Sequence, residues 1–152
     1  MPTTISIVVF RGRLPDVIEF RDAAVYFIYS DGCQTLIHVI DTPGFFEFAS
    51  QEANDPRNSA NFAGLVIVSL VKDWISRVAI EAACASTAVR NDLWHHAWNS
   101  SNWVCQTLTE LQNIGCLADQ ERSAAIFKMK NFILEAEDKP RFTSGPLHIY
   151  HA

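Results

Sequence analysis

The chain has 152 residues, 49% of them apolar and 19% charged, with a net charge of −5. That length supports a single domain, 1–152, with a sizeable core. The acidic balance and the absence of adjacent Lys or Arg residues exclude the basic stripe that nucleic acid requires and a polybasic membrane patch, and every apolar run is far below the ~20 residues of a membrane span.

In chain order, Thr3–Phe10 (TTISIVVF) is β-branched and apolar and predicts a strand. Arg11 to Pro15 is a turn. Ala23–Tyr29 and Gln34–Ile40 predict two further strands. Asp31-Gly32 between them is a strong hairpin signal. Thr42-Pro-Gly44 ends the third strand, since proline donates no ladder hydrogen bond. Residues 45–62 predict a long loop, opening on Phe45, Phe46 and Phe48. A connection of that length covers a site or contains a short helix. Gly64–Leu70 (GLVIVSL) predicts a central strand, because it is apolar almost throughout.

Helices follow. Asp73 can cap one through about Ser86, with Trp74, Ile75, Val78, Ala79, Ala82 and Ala83 on one side. Ser100 or Ser101 can cap a second, with Trp103, Val104, Leu108 and Leu111 apolar and Gly115 closing it. Asp119 can cap a third that carries Ala125, Met129, Phe132 and Ile133 and stops at Lys139-Pro140. Leu147–Tyr150 predicts a last short strand. Strands first and helices later predict an α+β fold: an antiparallel sheet of four to five strands with three helices on one face.

The segment Asp92 to Trp103 holds three of the four tryptophans and two of the five histidines. Indoles supply flat apolar walls and imidazoles supply polar contacts, so the segment predicts a pocket beside a helix start. The expected lining is Tyr26, Phe45, Phe46, Trp94, Trp98 and Trp103. The indoles can equally be plain core. His95 and His38 are the acid–base candidates, because an imidazole titrates near neutrality. Glu47, between Phe46 and Phe48, is the carboxyl candidate, since aromatic walls raise a carboxyl pKa. Each can also be an ordinary solvated or core group.

The cysteines at 33, 84, 105 and 116 form neither a CxxC pair nor a Cys/His ligand spacing, so no metal is expected. Cys105, near the positive end of the second helix, is either a nucleophile or a buried core thiol. The N-terminus lacks the charged start and apolar stretch of a signal peptide, and free thiols in a cytoplasmic protein are expected.

The segments Ala23–Tyr29, Asp31-Gly32, Thr42-Pro-Gly44, Gly64-Leu65, Trp103-Val104 and Gly115 follow one another in an order that resembles a family of small fungal domains, over about residues 5 to 130. More remotely, the layout is similar to permuted papain-like domains of the LRAT and PPPDE kind. In those, a strand supplies His and a helix N-terminus supplies a nucleophilic Cys. Here Ala24 stands at the His position and Ser100 at the Cys position, so the resemblance implies a papain-like pocket without its thiol–imidazole couple.

Taken together, these features predict a cofactor-independent cyclase or isomerase acting on a hydrophobic or aromatic natural-product intermediate. The alternatives are a Cys-dependent hydrolase or transferase of papain-like type, or a non-catalytic ligand-binding or dimerisation module. The expected partner is a small-molecule substrate, with no cofactor, nucleic acid or membrane, and a homodimer is possible.

Overall fold

A computed structural model describes residues 2–11, 21–40, 45–52, 55–71, 74–91, 98–135 and 149–151. The strands are β1 (Thr3–Phe10), β2 (Asp22–Ile28), β3 (Gln34–Ile40), β4 (Glu47–Glu52), β5 (Phe62–Val71) and β6 (Ile149–His151). The helices are α1 (Arg77–Ala85), α2 (Ser100–Asn113) and α3 (Asp119–Glu135). One sheet runs in the order β4-β3-β2-β1-β5-β6. The first five strands pair antiparallel, and β6 adds a short parallel edge beside β5. The fold is α+β with the helices following the sheet.

The β2–β3 hairpin closes through a three-residue loop. The Tyr29 N–H bonds the Cys33 carbonyl at 2.8 Å, and the Gly32 N–H bonds the Tyr29 carbonyl at 2.8 Å. Gly32 has φ +90°, a conformation that costs glycine little. The Asp31 carboxylate accepts the Cys33 N–H at 2.9 Å and ties the turn. At the far end of α2, Gly115 takes φ +91°, and the Cys116 N–H returns to the Leu111 carbonyl at 2.9 Å.

Side chains alternate across the sheet. Ile5, Ile7, Val9, Val25, Phe27, Ile37, Val39 and their neighbours face the helices and form the main core. Trp103, Val104, Leu108 and Leu111 of α2 and Ala125 and Met129 of α3 meet them there, each wholly buried. The opposite face carries a second apolar cluster of Val8, Ala24, Tyr26, Leu36 and Leu65. Its cover comes from the connection between β4 and β5. β4 lies at one edge beside β3, and β5 lies on the other side of β1, so the chain crosses three strands. On the way Pro56 is buried in a short 3-10 turn, and the Asp55–Arg57 pair lies close enough to perturb the Tyr26 phenol. Cover on both faces explains why β1 reads as a continuous apolar run.

Two elements differ from the sequence expectation. The loop expected over 45–62 contains β4, whose residues EFASQE are mostly exposed. An edge strand with one half-buried side has no apolar alternation to announce it. The first helix starts at Arg77 and is capped by Ser76, whose Oγ accepts the Ala79 N–H at 3.1 Å; Asp73, the expected cap, lies outside the described residues. Of the residues expected on its packed side, Ile75 and Ala83 are buried, whereas Trp74 and Val78 are 73% and 78% exposed, and Ile80 and Cys84 take their place in the core. An alanine-rich helix offers several apolar stripes of nearly equal strength, and the tertiary fit chooses among them.

Polar clips set the helices on the sheet. Arg77 reaches Glu81 at 3.1 Å and Thr35 at 3.3 Å, and its guanidinium lies 4.5 Å from the centre of the Tyr29 ring. Arg21, buried at the start of β2, donates to the Ile133 carbonyl in the last turn of α3, where a cation opposes the helix dipole favourably. Among the described residues no helix is long and apolar enough to cross a membrane.

Candidate functional site

The start of α2 is where the aromatic groups converge. Asn99 caps the helix: its Oδ1 accepts the Ser101 N–H at 3.0 Å and the Asn102 N–H at 3.3 Å, while the Asn102 side chain accepts the Asn99 N–H at 3.0 Å. The buried Ser100 hydroxyl accepts the Ala23 N–H at 3.0 Å and stands 3.5 Å from the Asp22 carboxylate. The first residue of α2 is thereby pinned to the start of β2. Ser100 is occupied as a structural acceptor, and Ala24 faces the other side of the sheet, so these two positions do not face one another.

From this anchor Trp103 enters the core, and its ring centre lies 6.0 Å from that of Phe48 on β4. Trp98, half-buried just before the cap, packs edge-to-face on Phe46 at 5.4 Å. Phe46 is held in turn by Asn91. The Asn91 Oδ1 accepts the Phe46 N–H at 2.7 Å, and its Nδ2 donates to the Phe46 carbonyl at 2.8 Å. The side-chain amide thus acts as a one-residue strand partner for an edge that has no other at that point among the described residues. Two ring pairs, Phe46–Trp98 and Phe48–Trp103, make up an aromatic wall whose Phe46 and Trp103 are buried and whose Phe48 and Trp98 reach the surface; the neighbouring Phe45 is 73% exposed.

The sheet divides the residues expected at the site. Phe46, Trp98 and Trp103 come together, joined by Phe48 and Asn91, which the sequence reading did not assign to the lining. No local signal marks Asn91, because its partner is 45 positions away. Trp94 and His95 lie outside the described residues. Tyr26 belongs to the opposite face, where its hydroxyl donates to Gln34 Oε1 at 2.5 Å and burial raises its pKa. His38 alternates with the core residues Ile37 and Val39 and so also points to that face. Glu47 pairs with Ile40, is exposed, and stands on the His38 side of β4. A sheet therefore separates His38, Glu47 and Tyr26 from the aromatic wall. The reason is parity: each sits an odd number of strand positions from a residue that faces the helices.

Burial lowers the His38 pKa, so the folded protein disfavours its protonated form. The unfolded chain then binds more protons than the folded one below about pH 6.5, and stability falls as pH drops through that value towards the depressed folded pKa. Urea unfolding at pH 7.5 and 5.5 should show this loss, and His38→Gln should flatten the difference. An unchanged pH dependence in the variant would show that His38 does not contribute.

The Cys84, Cys105 and Cys116 thiols are not activated. The Cys105 sulfur lies near Arg122 and Lys130 of α3, yet burial outweighs both cations and pushes its pKa up. Burial drives Cys84 up to about 12 and Cys116 up to about 11. Only the thiolate attacks, so Cys105 is poorly suited to the nucleophilic role. Cys33 is exposed at the hairpin turn. Iodoacetamide at neutral pH should modify one thiol per chain quickly, at Cys33, with the others reacting on unfolding; preferential labelling of Cys105 would contradict this placement. No protein-family model, curated protein or solved structure matches this chain.

Proposed function

We propose that this chain holds a hydrophobic or aromatic small molecule against the Phe48 and Trp98 surface of this wall, backed by the buried Phe46 and Trp103, and promotes its cyclisation or isomerisation without a cofactor. The observation that carries this reading is the two ring contacts that join the β4 edge to the start of α2, Phe46–Trp98 edge-to-face at 5.4 Å and Phe48–Trp103 tilted at 6.0 Å. Aromatic walls bind flat apolar bodies through area and ring geometry. Catalysis of this kind needs orientation and one proton donor or acceptor. His95, three positions before Trp98, takes that role in this reading, because His38 and Glu47 stand on the other face.

Binding and chemistry separate experimentally. Titration with 2-naphthol should quench tryptophan fluorescence, and Trp98→Ala should weaken that binding about tenfold, the loss expected for an aromatic contact of ~1–1.5 kcal/mol. His95→Ala should keep naphthol affinity and lose the isomerisation of a β,γ- to an α,β-unsaturated cyclohexenone. No saturable quenching would remove the proposed wall. Retained turnover in the His95 variant would remove its proton role.

A further inference from the structure

The indole Nε1 of Trp103 and the hydroxyl of Thr107 are buried polar atoms without a hydrogen-bond partner among the described residues. Both residues are wholly shielded from solvent. They stand four positions apart on α2, one above the other on the same side of the helix. A buried donor left unpaired costs about 1–3 kcal/mol, and native proteins rarely leave one. Trp103 and Thr107 put two such groups on a single helix row.

The atoms specify the guest they would hold. An indole N–H can only donate, and a threonine hydroxyl can donate while its oxygen stays free. One oxygen with two lone pairs can accept from both, as a carbonyl does. The surroundings specify the rest. Phe48 faces Trp103 across 6.0 Å, and Val39, paired with Phe48, belongs to the same apolar core. An anion set among such groups would need a cation for compensation, so a neutral acceptor fits better. Phe48, the ring set against Trp103, is 37% exposed on β4, while Trp103 itself is sealed.

We infer that Trp103 and Thr107 form the polar anchor of the aromatic wall and hold the carbonyl oxygen of a neutral hydrophobic ketone, lactone or ester. This inference rests on the wall being a ligand site. It adds a chemical preference that a purely apolar wall lacks: a carbonyl compound binds better than the hydrocarbon of the same shape.

The test uses the full chain with 15N-labelled tryptophan, the Trp103 indole N–H being the resonance lost in Trp103→Phe. Acetophenone and ethylbenzene are the probes, matched in shape and differing in the carbonyl. Acetophenone should shift the Trp103 N–H and bind about three- to tenfold more tightly than ethylbenzene, the ratio of one neutral hydrogen bond. Thr107→Val, nearly isosteric, removes one of the two donors and should lower the ratio by about twofold or more, leaving the Trp103 share. The wild-type ratio carries the test if that variant does not fold. Equal binding of both probes, with Trp98 shifted and Trp103 unmoved, would overturn the anchor and leave the wall standing. A water cross-peak to the Trp103 N–H that persists at saturating acetophenone would overturn the anchor too. No shift of any tryptophan with either probe would overturn anchor and wall together.

Discussion

Gly64→Ala should cost about 1–3 kcal/mol of stability, although alanine is ordinarily the better strand residue by ~0.5–1 kcal/mol. The reason is contact. A Cβ built on Gly64 would lie 2.4, 2.5 and 2.7 Å from Cε1, Cδ1 and Cζ of Phe132. Gly64 pairs with Val9, beside a break in register between β1 and β5, and faces α3. The Phe132 ring, almost wholly buried, lies directly on its backbone. Close packing leaves the ring no neighbouring space, so either α3 moves away from β5 or the ring leaves its rotamer. Phe132→Leu removes the obstructing ring edge and should restore part of the loss. The pair should therefore be non-additive, with a coupling of about 0.5–3 kcal/mol favouring the double variant. Additive costs in urea unfolding would show that α3 does not rest on this glycine.

Trp103→Ala should cost about 3–5 kcal/mol, the range for removing a large aromatic side chain from a core. For a chain of this length that is a fall of about 6–20 °C in Tm. Trp103 is fully buried, belongs to the main core cluster, and touches the edge strand through Phe48. Trp103→Phe should cost less than about 2 kcal/mol. It loses part of the ring volume but also removes an N–H that has no partner among the described residues. A phenylalanine variant as unstable as the alanine variant would show that the indole N–H is satisfied in the free protein. It would also weaken the case for a carbonyl guest. The two experiments report on different parts of the core, since α3 covers β5 and β1 while α2 covers β2 and β3.

Much of the fold is legible in the residues themselves. β1 and β3 match their sequence ranges because TTISIVVF and QTLIHVI are β-branched runs bounded by turn residues. Asp31-Gly32 specifies the hairpin because only glycine takes φ +90° without strain, and Gly115 ends α2 for the same reason. The stripe Trp103, Val104, Leu108 and Leu111 gives the buried side of α2 by period alone, and all four are sealed. These are local properties, set by neighbouring backbone angles and by spacings of one or two turns.

The candidate site is different in kind. The sequence places Trp98 and Trp103 near Ser100, but it does not bring them to Phe46 and Phe48, more than 50 positions earlier. That meeting depends on β4 adding to the edge of β3, a strand that is hidden in EFASQE because its exposed side needs no apolar pattern. Nor does the sequence tell His38 from Val39 by face. One step along a strand reverses the direction of a side chain, so a single unit of register decides whether an imidazole meets the aromatic wall or the opposite surface. What the sequence determined alone was the α+β layering, the hairpin and the buried stripe of α2. What the tertiary structure decided was which aromatics share a wall and which ionisable groups do not reach it. Pairing partners are chosen by burial across the whole sheet, and no short window of residues contains that information.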